Sequence, residues 1–121
     1  MLKFTKRHEW VKLDGDVAAV GITEHAAKEA GTFISVELPK LGTMLNKGER
    51  VAVLTSALVA LDALAPASGE IIEVNADVAA DPSRINADPH GEGWLYRLCV
   101  NDAAWFDGLM DEQAYQQFIA A

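Results

Sequence analysis

The stretch Trp10-Val11-Lys12-Leu13-Asp14-Gly15-Asp16-Val17-Ala18-Ala19-Val20-Gly21-Ile22 sets two apolar runs on either side of an Asp-Gly pair. Glycine reaches the positive φ that a tight turn requires, so the arrangement predicts an antiparallel hairpin. Working outward, Thr23 has the hydroxyl of a helix cap, Glu24 falls in the first turn of a short helix, and Gly31 lies just past its end. Phe33 to Leu38 alternates as a strand stopped by Pro39, and Gly42 and Asn46-Lys47-Gly48 mark turns. Arg50 to Leu54, Gly69 to Val74 and Trp94 to Val100 read as further strands. The segment from Asp81 to Gly93 holds two prolines and two glycines and reads mostly as loop. From Asp111 onward, Ala114, Tyr115, Phe118 and Ile119 recur at helical spacing. Short, closely spaced strands with helices at the edges predict a mainly β sandwich or barrel in one domain spanning residues 1–121.

Length and charge narrow the functions. The chain has 121 residues, half of them hydrophobic, which is enough for one core. Its 10 basic and 18 acidic side chains give a formal charge of −8. A phosphate backbone is bound by clustered cations, so nucleic acid is excluded as a partner, and basic protein surfaces are favoured. No apolar run approaches the roughly 20 residues that span a bilayer, so no membrane role is expected. No signal peptide is seen at the N-terminus. The expected location is the cytoplasm, or the mitochondrion if a transit peptide has been removed. A single cysteine, Cys99, permits no intrachain disulfide.

Catalytic signatures are missing. No GxSxG, GxxxxGK, GxGxxG or HExxH occurs. The histidines are His8, His25 and His90, and the adjacent Glu24 and His25 are too few for a metal, so no metal site is expected. Cys99, mid-strand and without a neighbouring base, reads as a small core hydrophobe. Trp10, Trp94 and Trp105 read as packing. No nucleophile–base pair emerges, so the chain is not expected to be an enzyme.

Several stretches, taken together, resemble the glycine cleavage system H protein. They are His8-Glu9-Trp10-Val11, Val20-Gly21-Ile22-Thr23-Glu24-His25-Ala26, Val36-Glu37-Leu38-Pro39, Ala65-Pro66-Ala67-Ser68-Gly69-Glu70 and Asn86-Ala87-Asp88-Pro89, followed by Gly91-Glu92-Gly93-Trp94-Leu95 and Asp111-Glu112-Gln113-Ala114-Tyr115. They run in the family's order and spacing from Lys3 to about Ile119. The resemblance implies a barrel-sandwich hybrid of the lipoyl/biotinyl type with short peripheral helices and a C-terminal helix. It also implies a shuttle whose lipoyl group, amide-linked to a hairpin lysine, visits the P, T and L proteins in turn. It places Glu9, His25 and Asp62 near the cleft that shelters the loaded arm.

The departure falls on the hairpin. The family reads Glu-Ser-Val-Lys-Ala there, whereas this chain has Thr55-Ser56-Ala57-Leu58-Val59-Ala60-Leu61-Asp62. Leu58 stands where the lysine belongs, Thr55 replaces the acidic residue, and Val59 and Leu61 make the tip apolar. Leucine has no amine to acylate, and no lysine follows Lys47. The expectation is therefore a homologue without covalently bound lipoate or any other cofactor, acting by binding the P, T and L proteins or lipoate-transferring enzymes. Its apolar tip is expected to be buried against something. Two alternatives are a working carrier with an unexpected attachment, and an interaction module or homodimer built on the 55–61 hairpin.

Overall fold

The computed structural model describes residues 2–102 and 104–120. Met1, Ala103 and Ala121 lie outside the described residues. In chain order the elements are β1 (Leu2–Phe4), β2 (Glu9–Asp14), β3 (Val17–Ile22), α1 (Glu24–Ala30), β4 (Phe33–Glu37), β5 (Met44–Leu45), β6 (Arg50–Ser56) and β7 (Ala60–Leu64). There follow β8 (Gly69–Val74), α2 (Ala76–Ala80), α3 (Ser83–Ala87), β9 (Tyr96–Val100), α4 (Ala104–Asp107) and α5 (Glu112–Ala120). Two antiparallel sheets result, one of six strands in the order β1-β2-β3-β9-β8-β5 and one of three in the order β4-β6-β7. This is the expected mainly β fold with short helices at its margin and one at its C-terminus.

The first hairpin forms as its sequence dictates. Gly15 sits at φ 63°, and the register pairs Asp14 with Val17 and Val11 with Val20. Strand alternation then sends one set of side chains inward. Tyr96, Leu98 and Val100 of β9 are buried, as are Val11, Val20, Leu54 and Ile71, and together they fill the core between the sheets. A smaller cluster of Phe4, Trp10 and Tyr115 pins α5 against β1 and β2. Trp10 is fixed further by its indole N–H, which donates to the Pro89 carbonyl at 2.8 Å.

Thr23 caps α1 as expected, its hydroxyl accepting the Ala26 N–H, and the Gly31 N–H returns to the Ala27 carbonyl at φ 85°. Three sequence readings change, for the span 81–93, for Trp94 and for Cys99. The span 81–93 contains a helix, α3, preceded by α2, because Asn75 caps α2 with its side chain and Val78 and Ile85 are buried. Trp94 lies just before β9 and packs under the Arg97 guanidinium, 4.1 Å from its ring centroid. Residues 104–107 form a short helix that buries Phe106. Cys99 is half-buried, not core: it pairs with Val17 and Glu70 on the outward face of the large sheet. No helix among the described residues is long and apolar enough to cross a membrane.

Candidate functional site

A cleft of about 570 Å³ opens between α1, the turn before β2, and the β6–β7 hairpin. Glu9, His25, Val59, Leu61 and Asp62 all line it, so five residues picked from sequence converge there. Thr55 and Leu58 do not. Thr55 lies on the middle strand of the small sheet, paired with Ser35 and Ala60. Leu58 is the apex of the hairpin and is 76% exposed. Among the described residues the tip stays open, so any burial of it has to come from another molecule: Leu58 is exposed, and so are Val59 and Ile34.

Ser56 builds the apex. Its N–H donates to the Val59 carbonyl at 2.8 Å, closing the turn. Its hydroxyl donates to the Ala30 carbonyl at 2.7 Å and accepts the Leu58 and Val59 N–H groups, each at 3.1 Å. The tip is thus tied to the C-terminus of α1, and a Cβ built on Gly31 would meet Leu58 Cδ1 at 3.6 Å. Lys47 is exposed in a turn before the opposite end of β6, its N–H held by the Ser68 hydroxyl at 3.0 Å.

The acidic side chains of the cleft have different environments. Glu9 is only 3% exposed, and both its oxygens are engaged: Oε1 accepts the Thr5 hydroxyl at 3.1 Å and Oε2 accepts the Leu64 N–H at 2.7 Å. Burial raises its pKa above the ordinary glutamate value, against the lowering effect of those two bonds and of Arg7. Asp62 and Glu29 stand exposed at the rim. Asp62 Oδ1 is 4.0 Å from Arg50 Nη1, and its carbonyl accepts Arg7 Nη2 at 3.2 Å.

Sequence reasoning missed two groups in this region. His8 lines the cleft with its ring centroid 4.9 Å from that of His25, and its Nδ1 lies 2.8 Å from the Tyr115 hydroxyl. Its φ of 66° makes it the sole non-glycine residue in the left-handed region among the described residues. Burial, then the neighbouring His25, lowers its pKa, with Glu29 opposing. The one sequence signal for His8 is its place at the head of His8-Glu9-Trp10-Val11. Tyr115 is 107 positions away, and its signals are its helical spacing and its place at the end of Asp111-Glu112-Gln113-Ala114-Tyr115, neither of which points to the cleft. Among the described residues no three His, Cys, Asp or Glu side chains gather where they could hold a metal ion.

Comparison with known proteins adds the family context. The family model described as glycine cleavage H-protein matches residues 2–121. The glycine cleavage system H protein of Thermotoga maritima is 48% identical over 120 residues, covering 99% of this chain and 97% of that one. That of Phenylobacterium zucineum is 45% identical over 119 residues, 98% of each. A crystal structure of a glycine cleavage system H protein from Mycobacterium marinum superposes with a TM-score of 0.90 at 32% identity, covering 99% of this chain and 97% of that chain.

Proposed function

The chain belongs to the glycine cleavage H-protein family, and from that premise we propose that it is a non-lipoylated member, acting by protein binding and not as a carrier or an enzyme. One observation carries the reading: the exposed apex of the β6–β7 hairpin, where the family's sequence pattern places the lipoyl lysine, is Leu58. Lipoyl attachment forms an amide on a side-chain amine, and a leucine does not fit it. The lysine nearest to it in the sequence, Lys47, belongs to a turn at the far end of β6. No cofactor is proposed.

Family members work with the P, T and L proteins, and these, with lipoate-transferring enzymes, are the proposed partners. What supports binding is a clamped, exposed tip: Ser56 ties the turn to α1, and Leu58 and Val59 are displayed to solvent. A basic partner surface suits a chain of net charge −8 better than a second copy of the same charge. The test is intact-mass measurement after expression with a lipoate ligase and free lipoate. An unmodified mass is expected, and a gain of one lipoyl group rejects the reading.

A further inference from the structure

The hydroxyl of Tyr115 joins the C-terminal helix to the cleft. It lies 2.8 Å from His8 Nδ1 and 2.7 Å from Thr23 Oγ1, and Thr23 Oγ1 in turn accepts the Ala26 N–H at 3.2 Å. Thr23 is 1% exposed and Tyr115 2%. Two directions are available to this chain of bonds. In one, Thr23 donates to Tyr115 and Tyr115 donates to His8 Nδ1, so every hydroxyl proton has an acceptor. In the other, His8 Nδ1–H donates to Tyr115, and whichever way the Tyr115–Thr23 bond then runs, one hydroxyl proton of the pair is left buried with no acceptor among the described residues. An unmet buried donor carries its full desolvation cost, so the first direction prevails.

We propose that Tyr115 is a positioning residue which, with Thr23, fixes His8 as the neutral Nε2–H tautomer. The cleft wall then presents a hydrogen-bond donor, not an acceptor, to whatever enters. Nδ1 is taken by Tyr115, and Nε2 has no hydrogen-bond partner among the described residues. The left-handed backbone at His8 is held from both sides, its N–H donating to the Thr5 carbonyl at 3.2 Å and its carbonyl accepting the Thr23 N–H at 2.9 Å. A conformation of that kind persists where surrounding bonds over-determine it. The groups facing the ring are His25 and Glu29 from α1, Tyr115 and Phe118 from α5, Arg7 from the preceding turn, and Asp62 across the cleft. Glu29 favours a charged imidazole, while burial and His25 favour the neutral one. The inference does not depend on whether the chain is lipoylated.

Long-range ¹H–¹⁵N correlation spectra of the imidazoles test it, with the His8 signals assigned by their loss in His8→Asn. Well above the imidazole titration range, wild-type His8 is expected to show a pyridine-type Nδ1 and a pyrrole-type Nε2. Tyr115→Phe should bring the two shifts together by mixing tautomers and raise the His8 titration midpoint by about half to one pH unit, the equivalent of one net hydrogen bond. Thr23→Val should act in the same direction, and Thr23→Ser should restore the wild-type pattern. A wild-type proton on Nδ1 overturns the proposal, and that reading requires no variant to fold. Wild-type shifts retained in Tyr115→Phe overturn it equally.

Discussion

Glu9 Oε2 accepts the backbone N–H of Leu64 at 2.7 Å, and through it the large sheet holds the outer edge of the small one. β7 pairs with β6 on one side only, and on its other side Arg7 reaches the Asp62 carbonyl while Glu9 reaches Leu64. The carboxylate that the family resemblance assigns to the arm cleft is therefore also a tie between layers. Oε2 is spent on that tie and Oε1 on the Thr5 hydroxyl before any ligand enters.

Removing the tie should be costly. Glu9→Ala leaves the Leu64 N–H unpaired and is expected to lose about 2–4 kcal/mol of unfolding free energy. Glu9→Gln keeps the shape and one acceptor and should lose much less. The pH dependence follows from the raised pKa. Between the ordinary glutamate value and the raised one the folded chain binds more protons than the unfolded chain, so this contribution falls as pH rises through that window. Urea unfolding across the mildly acidic range should show the slope in wild type and not in Glu9→Gln.

His8 carries the opposite sign. Its folded pKa lies below the ordinary 6.5, so its contribution is present above that value and is lost as pH falls through the folded one. Asparagine tolerates the left-handed backbone. His8→Asn should therefore fold and flatten the loss of stability below about pH 6.5 in thermal or urea unfolding.

Leu58→Lys restores an amine at the apex. Because the apex is exposed and the turn is closed by Ser56, the substitution should change stability by less than about 0.5 kcal/mol. Incubation with a lipoate ligase should then add one lipoyl group, read by intact mass. An unmodified Leu58→Lys protein would show that Thr55 or the apolar flank also prevents recognition.

Ser56→Ala deletes a buried hydroxyl that serves Ala30, Leu58 and Val59 together. A loss of about 1–3 kcal/mol is expected by urea denaturation. Combined with Leu58→Lys, it should slow lipoylation, because the lysine would sit on a loosened turn.

Tyr96 offers the reverse case. It is fully buried, its hydroxyl has no hydrogen-bond partner among the described residues, and burial followed by the nearby Glu9 charge drives its pKa far upward. Tyr96→Phe removes a polar atom that gains nothing. Thermal unfolding should show equal stability or a gain of up to about 1 kcal/mol.

The parts legible in sequence are those written in neighbouring residues. Asp14-Gly15 fixed the first hairpin's position, Thr23 and Gly31 bounded α1, and alternation exposed β9 as a strand. α3 was obscured because its prolines and glycines lie just outside it, at Pro82, Pro89, Gly91 and Gly93, while Ile85 supplies the buried contact. Glu9, His25 and Asp62 were reachable through the family pattern, and they do line one cleft. His8 stands in the same pattern without a role attached, because its role depends on a left-handed φ and on a tyrosine from the other end of the chain. The tip stands open within the chain because apolar residues predict burial only on average, and a turn of four residues has no second layer to hide in.

The middle position of β6 has a consequence for self-association. From Val51 to Leu61 the chain carries no charge and is rich in strand formers, the composition that seeds fibrils when its backbone is free. Here β4 and β7 take the backbone groups on both sides of β6, and Arg7 and Glu9 occupy two of the groups on the far side of β7. A neighbouring molecule could template on β6 only after the small sheet had unzipped.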